Sequence, residues 1–104
     1  MSLDPIYEDQ VIERIKSVFD PEIPVNIYDL GMIYEIKISE DNRVKIKMTL
    51  TSPNCPVAES LPGDVRAAVM GIPGVEDVWV DLTFEPPWSP DMMTEEAKLL
   101  LGFL

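Results

Sequence analysis

Apolar side chains at helical spacing open the chain: Val11, Ile12, Ile15, Val18 and Phe19 fall on one face behind Asp4-Pro5, a capping residue followed by a proline suited to the first helical position. The pattern predicts a helix from Pro5 to about Val18. It gives way to Asp20-Pro21-Glu22-Ile23-Pro24-Val25-Asn26-Ile27-Tyr28-Asp29-Leu30-Gly31, whose prolines and carboxylate or amide groups predict a long loop. Loops of about a dozen residues without regular structure are uncommon in compact domains and often functional. The period then changes to two. Met32, Tyr34, Ile36 and Ile38 alternate with Glu35 and Lys37, and Val44, Ile46, Met48 and Leu50 alternate with Lys45, Lys47, Thr49 and Thr51 beyond a turn at Glu40-Asp41-Asn42-Arg43. Two such runs predict an antiparallel hairpin with one face in the core and one in water.

Helical spacing returns at Val57, Leu61, Val65, Ala68, Val69 and Ile72 and stops at Gly71-Ile72-Pro73-Gly74. Pro62-Gly63 interrupts it, so either the helix is kinked or a second start follows a cap at Ser60. Val78, Val80, Leu82 and Phe84 make a third strand whose other side carries Asp77, Trp79, Asp81 and Thr83. Prolines keep the tail, Glu85-Pro86-Pro87-Trp88-Ser89-Pro90-Asp91-Met92-Met93, out of a sheet interior, and Thr94 then caps a short helix ended by Gly102. The order helix-strand-strand-helix-strand, with a parallel crossover between the second and third strands, predicts an α+β two-layer sandwich with a three-stranded mixed sheet. Two helices would cover one face and leave Trp79 among charges on the other, under the tail or under a partner, with the tail favoured. Trp88 reads as part of a rigid strap or, with Trp79, as a partner surface.

Between the second strand and the second helix stands the stretch Thr51-Ser52-Pro53-Asn54-Cys55-Pro56, which holds the one cysteine of the chain. Pro53 extends Ser52, and Pro56 suits a first helical position, which places Cys55 at or beside an N-cap. Unpaired N–H groups and the helix dipole there favour the thiolate, the form that attacks electrophiles and binds metals, whereas burial opposes it. An isolated cysteine also serves as a small buried apolar residue. Histidine is absent. That excludes imidazole-based triads, HExxH zinc sites and imidazole acid-base chemistry. The five glycines form no phosphate-binding loop.

A length of 104 residues suits a single domain spanning 1–104, and a net charge of -11 repels nucleic acid and anionic membrane alike. No stretch reaches the roughly 20 apolar residues of a membrane span, and Met1-Ser2-Leu3-Asp4 lacks a leader's pattern. With a lone cysteine, these features predict a cytoplasmic protein.

Three segments together, Asp20-Pro21-Glu22 with Asp29-Leu30-Gly31, the Thr51-Ser52-Pro53-Asn54-Cys55-Pro56 box, and Phe84-Glu85-Pro86-Pro87-Trp88-Ser89-Pro90-Asp91-Met92, make the chain resemble the SufT and PaaD-like family of iron-sulfur cluster assembly proteins. The resemblance implies a non-enzymatic accessory role in cluster assembly or transfer to apoproteins. It maps the family's functional thiol to Cys55, with Asp20, Glu22, Asp29, Thr51, Asn54 and Pro56 as site-lining residues, although the carboxylates read first as loop caps and solvated groups and only second as ligands. PaaD-branch members carry an additional cysteine-bearing C-terminal domain that is not found here, which favours the stand-alone SufT-like branch. Clusters commonly need four thiolates, so no stably bound cofactor is expected. A transient iron-sulfur cluster, or iron, could sit between two chains of a homodimer, each giving one Cys55, with Asp20, Glu22 or Asp29 or an external thiol completing the set. Otherwise Cys55 contacts clients or assembly machinery without a cluster. The alternative function is a small non-catalytic subunit or scaffold of a multicomponent aromatic-ring oxygenase of the phenylacetate type.

Overall fold

The computed structural model describes residues 6–19, 23–50 and 60–102. Its elements run α1 (Glu8–Ile15), β1 (Ile33–Ile38), β2 (Arg43–Met48), α2 (Leu61–Met70), β3 (Asp77–Leu82), a 3-10 turn (Pro90–Met92) and α3 (Glu95–Leu101). The sheet order is β1-β2-β3, with β1 antiparallel and β3 parallel to the central β2. This is the mixed three-stranded sheet that the alternation and the crossover predict. Val44, Ile46 and Met48 of β2, Val11 and Ile15 of α1, and Leu61, Val65 and Val69 of α2 are buried together in one core. Apolar area removed from water along these three elements is the main source of stability, at roughly 25 cal/mol per Å².

Helix α1 is shorter than its apolar stripe. Asp4 and Pro5 lie outside the described residues; the helix starts at Glu8, where the Gln10 side chain accepts a hydrogen bond from the extended Tyr7 N–H at 2.8 Å. It stops at Ile15, before the predicted Val18, because the Ser17 hydroxyl takes the Arg14 carbonyl at 2.6 Å and the Val18 N–H closes a tighter turn onto Ile15. Phe19 therefore leaves the helical face on which its spacing placed it. It pairs as an isolated bridge with Asn26 and stays 52% exposed.

The strands also end earlier than the alternation suggests. A register irregularity between Ile33 and Glu35 sets the phase of β1. Thr49, read as a water-facing residue, is buried, since its N–H bonds to the Met32 carbonyl at 2.8 Å and draws the end of β2 into the core. Beyond Leu82 the Thr83 hydroxyl accepts from the Glu85 N–H at 3.2 Å and the chain turns away, so Leu82 and Phe84 are exposed and not in the core. Pro62 and Gly63 fall in the first turn of α2, after Ser60. A start at Leu61 agrees with the second-start alternative in that proline there breaks no internal hydrogen bond, but the Ser60 side chain makes no capping hydrogen bond, and the turn that would precede it lies outside the described residues. At the other end Thr94 caps α3 by accepting from the Ala97 N–H at 3.2 Å, and Gly102 ends it at φ 81°.

On the outer face of the sheet Glu35 sits between Lys37 at 3.2 Å and Lys47 at 3.7 Å. The hydrogen bond and charge of Lys37, helped by Lys47, hold the Glu35 carboxyl below its ordinary value of 4.5. A carboxylate whose folded pKa is depressed adds stability above its unfolded pKa and loses it as pH falls through the folded one. The wild-type urea midpoint is thus expected to drop as pH falls below 4.5, and Glu35→Gln is expected to flatten that limb. Identical acid limbs in the two proteins would show that the Glu35 pairs add nothing.

Candidate functional site

The cysteine box and the Asp20-Pro21-Glu22 segment lie outside the described residues, so Cys55, Thr51, Asn54, Pro56, Asp20 and Glu22 have no described position. Their anchors do. Leu50, at the end of the β2 run, is buried, and Leu61, one residue into α2, is buried as well. Backbone hydrogen bonds connect the two departure points. The Ile27 N–H bonds to the Val18 carbonyl at 3.0 Å, the Met32 N–H to the Ile27 carbonyl at 3.1 Å, and the Thr49 N–H to the Met32 carbonyl at 2.8 Å. The chain thus enters 20–22 and 51–59 from the same hydrogen-bonded corner, at the carboxyl end of β2, the end of an open α/β sheet where ligand sites form.

Asp29 is the one carboxylate of the predicted set that the structure describes. Its side chain accepts from Asn26 Nδ2 at 2.9 Å, while its own N–H donates to Asn26 Oδ1 at 2.9 Å. This reciprocal pair closes the turn Asn26–Gly31, in which Ile27 and Leu30 are buried. Among the described residues there is no group of three or more His, Cys, Asp or Glu able to hold a metal ion.

The same turn receives the tail. Trp88 Nε1 donates to the Leu30 carbonyl at 2.7 Å, the Thr94 N–H donates to the Asp29 carbonyl at 2.9 Å, and the Tyr34 hydroxyl donates to the Pro86 carbonyl at 2.7 Å. Gly31 has φ 81°, and a Cβ there would collide with the Met92 carbonyl oxygen. Two motifs far apart in sequence, Asp29-Leu30-Gly31 and the Pro86–Met92 strap, are therefore the two sides of one contact. Sequence reasoning saw both and missed the pairing; the signal was a glycine directly after an Asx turn, where a positive φ and close backbone approach coincide. Because the strap goes to this corner, it does not cover Trp79, which stays 65% exposed on the other side of the sheet. Of the two tryptophans, Trp88 is partly buried against the core and Trp79 is open.

The architecture defines a small α+β domain with a thiol-bearing connection between its two parallel strands. A crystal structure of a domain of unknown function from Bacillus anthracis superposes with a TM-score of 0.87 at 35% identity, covering 93% of this chain and 92% of that one. The chain belongs to the iron-sulfur cluster assembly protein family, whose model matches residues 8–82. It is similar to a Fe-S protein maturation auxiliary factor of Porphyromonas gingivalis, 53% identical over 93% of this chain and 92% of that protein. A second relative, the Fe-S protein maturation auxiliary factor YitW of Bacillus subtilis, is 35% identical over 96% of this chain and 98% of its own length.

The packing of turn and strap sets a stability prediction. Gly31→Ala combines a left-handed backbone with a backbone collision and is expected to cost about 2–4 kcal/mol. Trp88→Ala, losing a partly buried ring and one hydrogen bond, is expected to cost about 2–3 kcal/mol. Denaturant unfolding measures both. Trp88→Ala with unchanged stability and lost partner binding would assign the ring to an interface.

Proposed function

We propose that this protein is an accessory factor in iron-sulfur protein maturation that acts through Cys55, as a transient carrier of a cluster or as an adaptor for apoprotein clients. The observation that carries the proposal is the family match over 8–82, which spans Cys55, together with a relative of near-equal length named as a maturation auxiliary factor. The corner geometry supports it. Residues flanking both segments that bear the candidate ligands, Val18 before Asp20 and Thr49 before Cys55, belong to one relay of backbone hydrogen bonds. Asp29 contributes by shaping that junction, since its carboxylate is engaged by Asn26.

The cluster is cargo in this scheme. One thiolate per chain cannot saturate a cluster that commonly takes four, so two chains each giving Cys55, or one chain plus a client's thiols, hold it during transfer. A donor set this sparse binds weakly, and weak binding lets cargo pass to an apoprotein that offers a full set. Partners are therefore proteins: the assembly machinery on one side and apoproteins on the other.

Cys55→Ser is expected to abolish maturation of iron-sulfur enzymes in cells lacking the wild-type gene while leaving the melting temperature nearly unchanged. Full complementation by the serine variant would overturn the thiol's role. Assay of aromatic-ring oxygenation in the same cells distinguishes an oxygenase scaffold, which would lose that activity with iron-sulfur enzymes intact. The purified protein is expected to be nearly colourless and, after anaerobic reconstitution, to carry at most about half a cluster per chain in a dimer. A stoichiometric cluster in a monomer, seen by absorbance and sedimentation, would refute the carrier scheme.

A further inference from the structure

The chain has eight basic residues against nineteen acidic ones, yet four of the eight gather on the outer face of the sheet. Lys37 of β1 faces Lys45 of β2, and Lys45 faces Trp79 of β3, which makes one cross-strand row of two ammonium groups and an indole. Arg43 faces Asp77 on one side of this row, and Glu35, Lys47 and Asp81 form the row on the other. Like charges directly opposite each other destabilise a sheet, and an exposed tryptophan gains nothing for it in water. The acids nearby only partly offset this. Glu35 is shared between Lys37 and Lys47, Arg43 reaches Asp41 at 3.2 Å, and Asp77 is drawn off by Arg66 at 3.2 Å. Among the described residues Lys45 has no carboxylate within ion-pair distance. A depression of about 540 Å³ lies over the row, bordered by Lys37, Ser39, Arg43, Lys45, Asp77 and Trp79.

We propose that the row Lys37–Lys45–Trp79 is a docking surface for an acidic segment of a partner protein, its carboxylates on the two lysines and an apolar side chain against the indole. Charge decides the occupant. A second copy seated on this face about a two-fold axis would set these lysines against their own copies, and a nucleic acid long enough to leave the patch would meet the field of a chain of net charge -11. A short acidic segment needs only local complementarity, since the rest of the acidic surface is screened beyond about 8 Å at physiological salt. The row lies toward the Arg43 end of β2, whereas the residues that carry Cys55 follow Leu50, beyond the other end of that strand in sequence. The surface and the thiol can therefore engage different proteins, and the docking surface stands whether or not Cys55 carries cargo.

The test uses the full chain, labelled with nitrogen-15, and a synthetic peptide of alternating glutamate and leucine, with its glutamine counterpart as control. Expected on titration are shifts at the Trp79 indole N–H and at the amides of Lys37, Lys45 and Arg43, with the glutamine peptide about tenfold weaker. Lys37→Glu with Lys45→Glu should weaken binding about tenfold or more, Lys37→Gln with Lys45→Gln by less, and Lys98→Glu on α3 should change nothing, at unaltered circular dichroism. Cys55→Ser should bind like the wild type. Shifts confined to another face, equal binding of both peptides, no effect of the lysine reversals, displacement of the peptide by oligouridylate, or a dimer that dissociates on lysine reversal would each overturn the proposal.

Discussion

The Asn26–Gly31 turn is the constraint on which the rest of the molecule depends. Its own closure comes from the Asn26 and Asp29 side chains exchanging hydrogen bonds, and its backbone is shared out to every neighbouring part of the chain. Ile27 ties it to the end of the α1 segment and to Met32, Leu30 and Asp29 tie it to the tail, and Met32 ties it to the end of β2. Ile27 and Leu30 are buried beneath these bonds, so loosening any one of them exposes apolar surface as well as a carbonyl. A turn that reads in sequence as the end of a long polar loop is thus the joint of the core.

That joint explains which parts of the fold were legible in sequence. Periodicity reports faces, and it identified the buried residues of β2 and α2, where Val44, Ile46, Met48, Leu61, Val65 and Val69 occupy the core as their spacing predicts. It failed where a local hydrogen bond ended an element early. Ser17 truncates α1, Thr83 turns β3 outward, and Met32 draws Thr49 inward. In each case a short polar side chain or a single backbone bond outcompeted the continuation of an apolar pattern. The strap's destination was illegible for another reason: Trp88 meets Leu30 across a sequence separation of 58 residues, and nothing in a local pattern encodes such a pairing.

For the candidate site, residue types were legible and geometry was not. One cysteine between prolines, with histidine absent, bounds the possible reactions more tightly than any shape does. The basic row on the sheet's outer face shows the converse. Alternation placed Lys37, Lys45 and Trp79 on the polar side, which reads as an ordinary water-facing surface. Only the register, Lys37 to Lys45 and Lys45 to Trp79, turns three scattered residues into a patch.

The two ends of β2 differ in how they are connected. Parallel pairing with β3 requires a crossover, and the crossover's first half is the connection that carries Cys55. Antiparallel pairing with β1 requires a tight turn, and the Ser39–Arg43 corner beside the basic row is held by the Ser39 and Asp41 side chains and by the buried Asn42 at φ 60°. The connection to α2 and the hairpin turn thus belong to opposite ends of one central strand. If the row docks a partner and Cys55 contacts it, as proposed above, the two tasks fall to opposite ends of β2, and a segment seated on the row does not compete for the residues that follow Leu50.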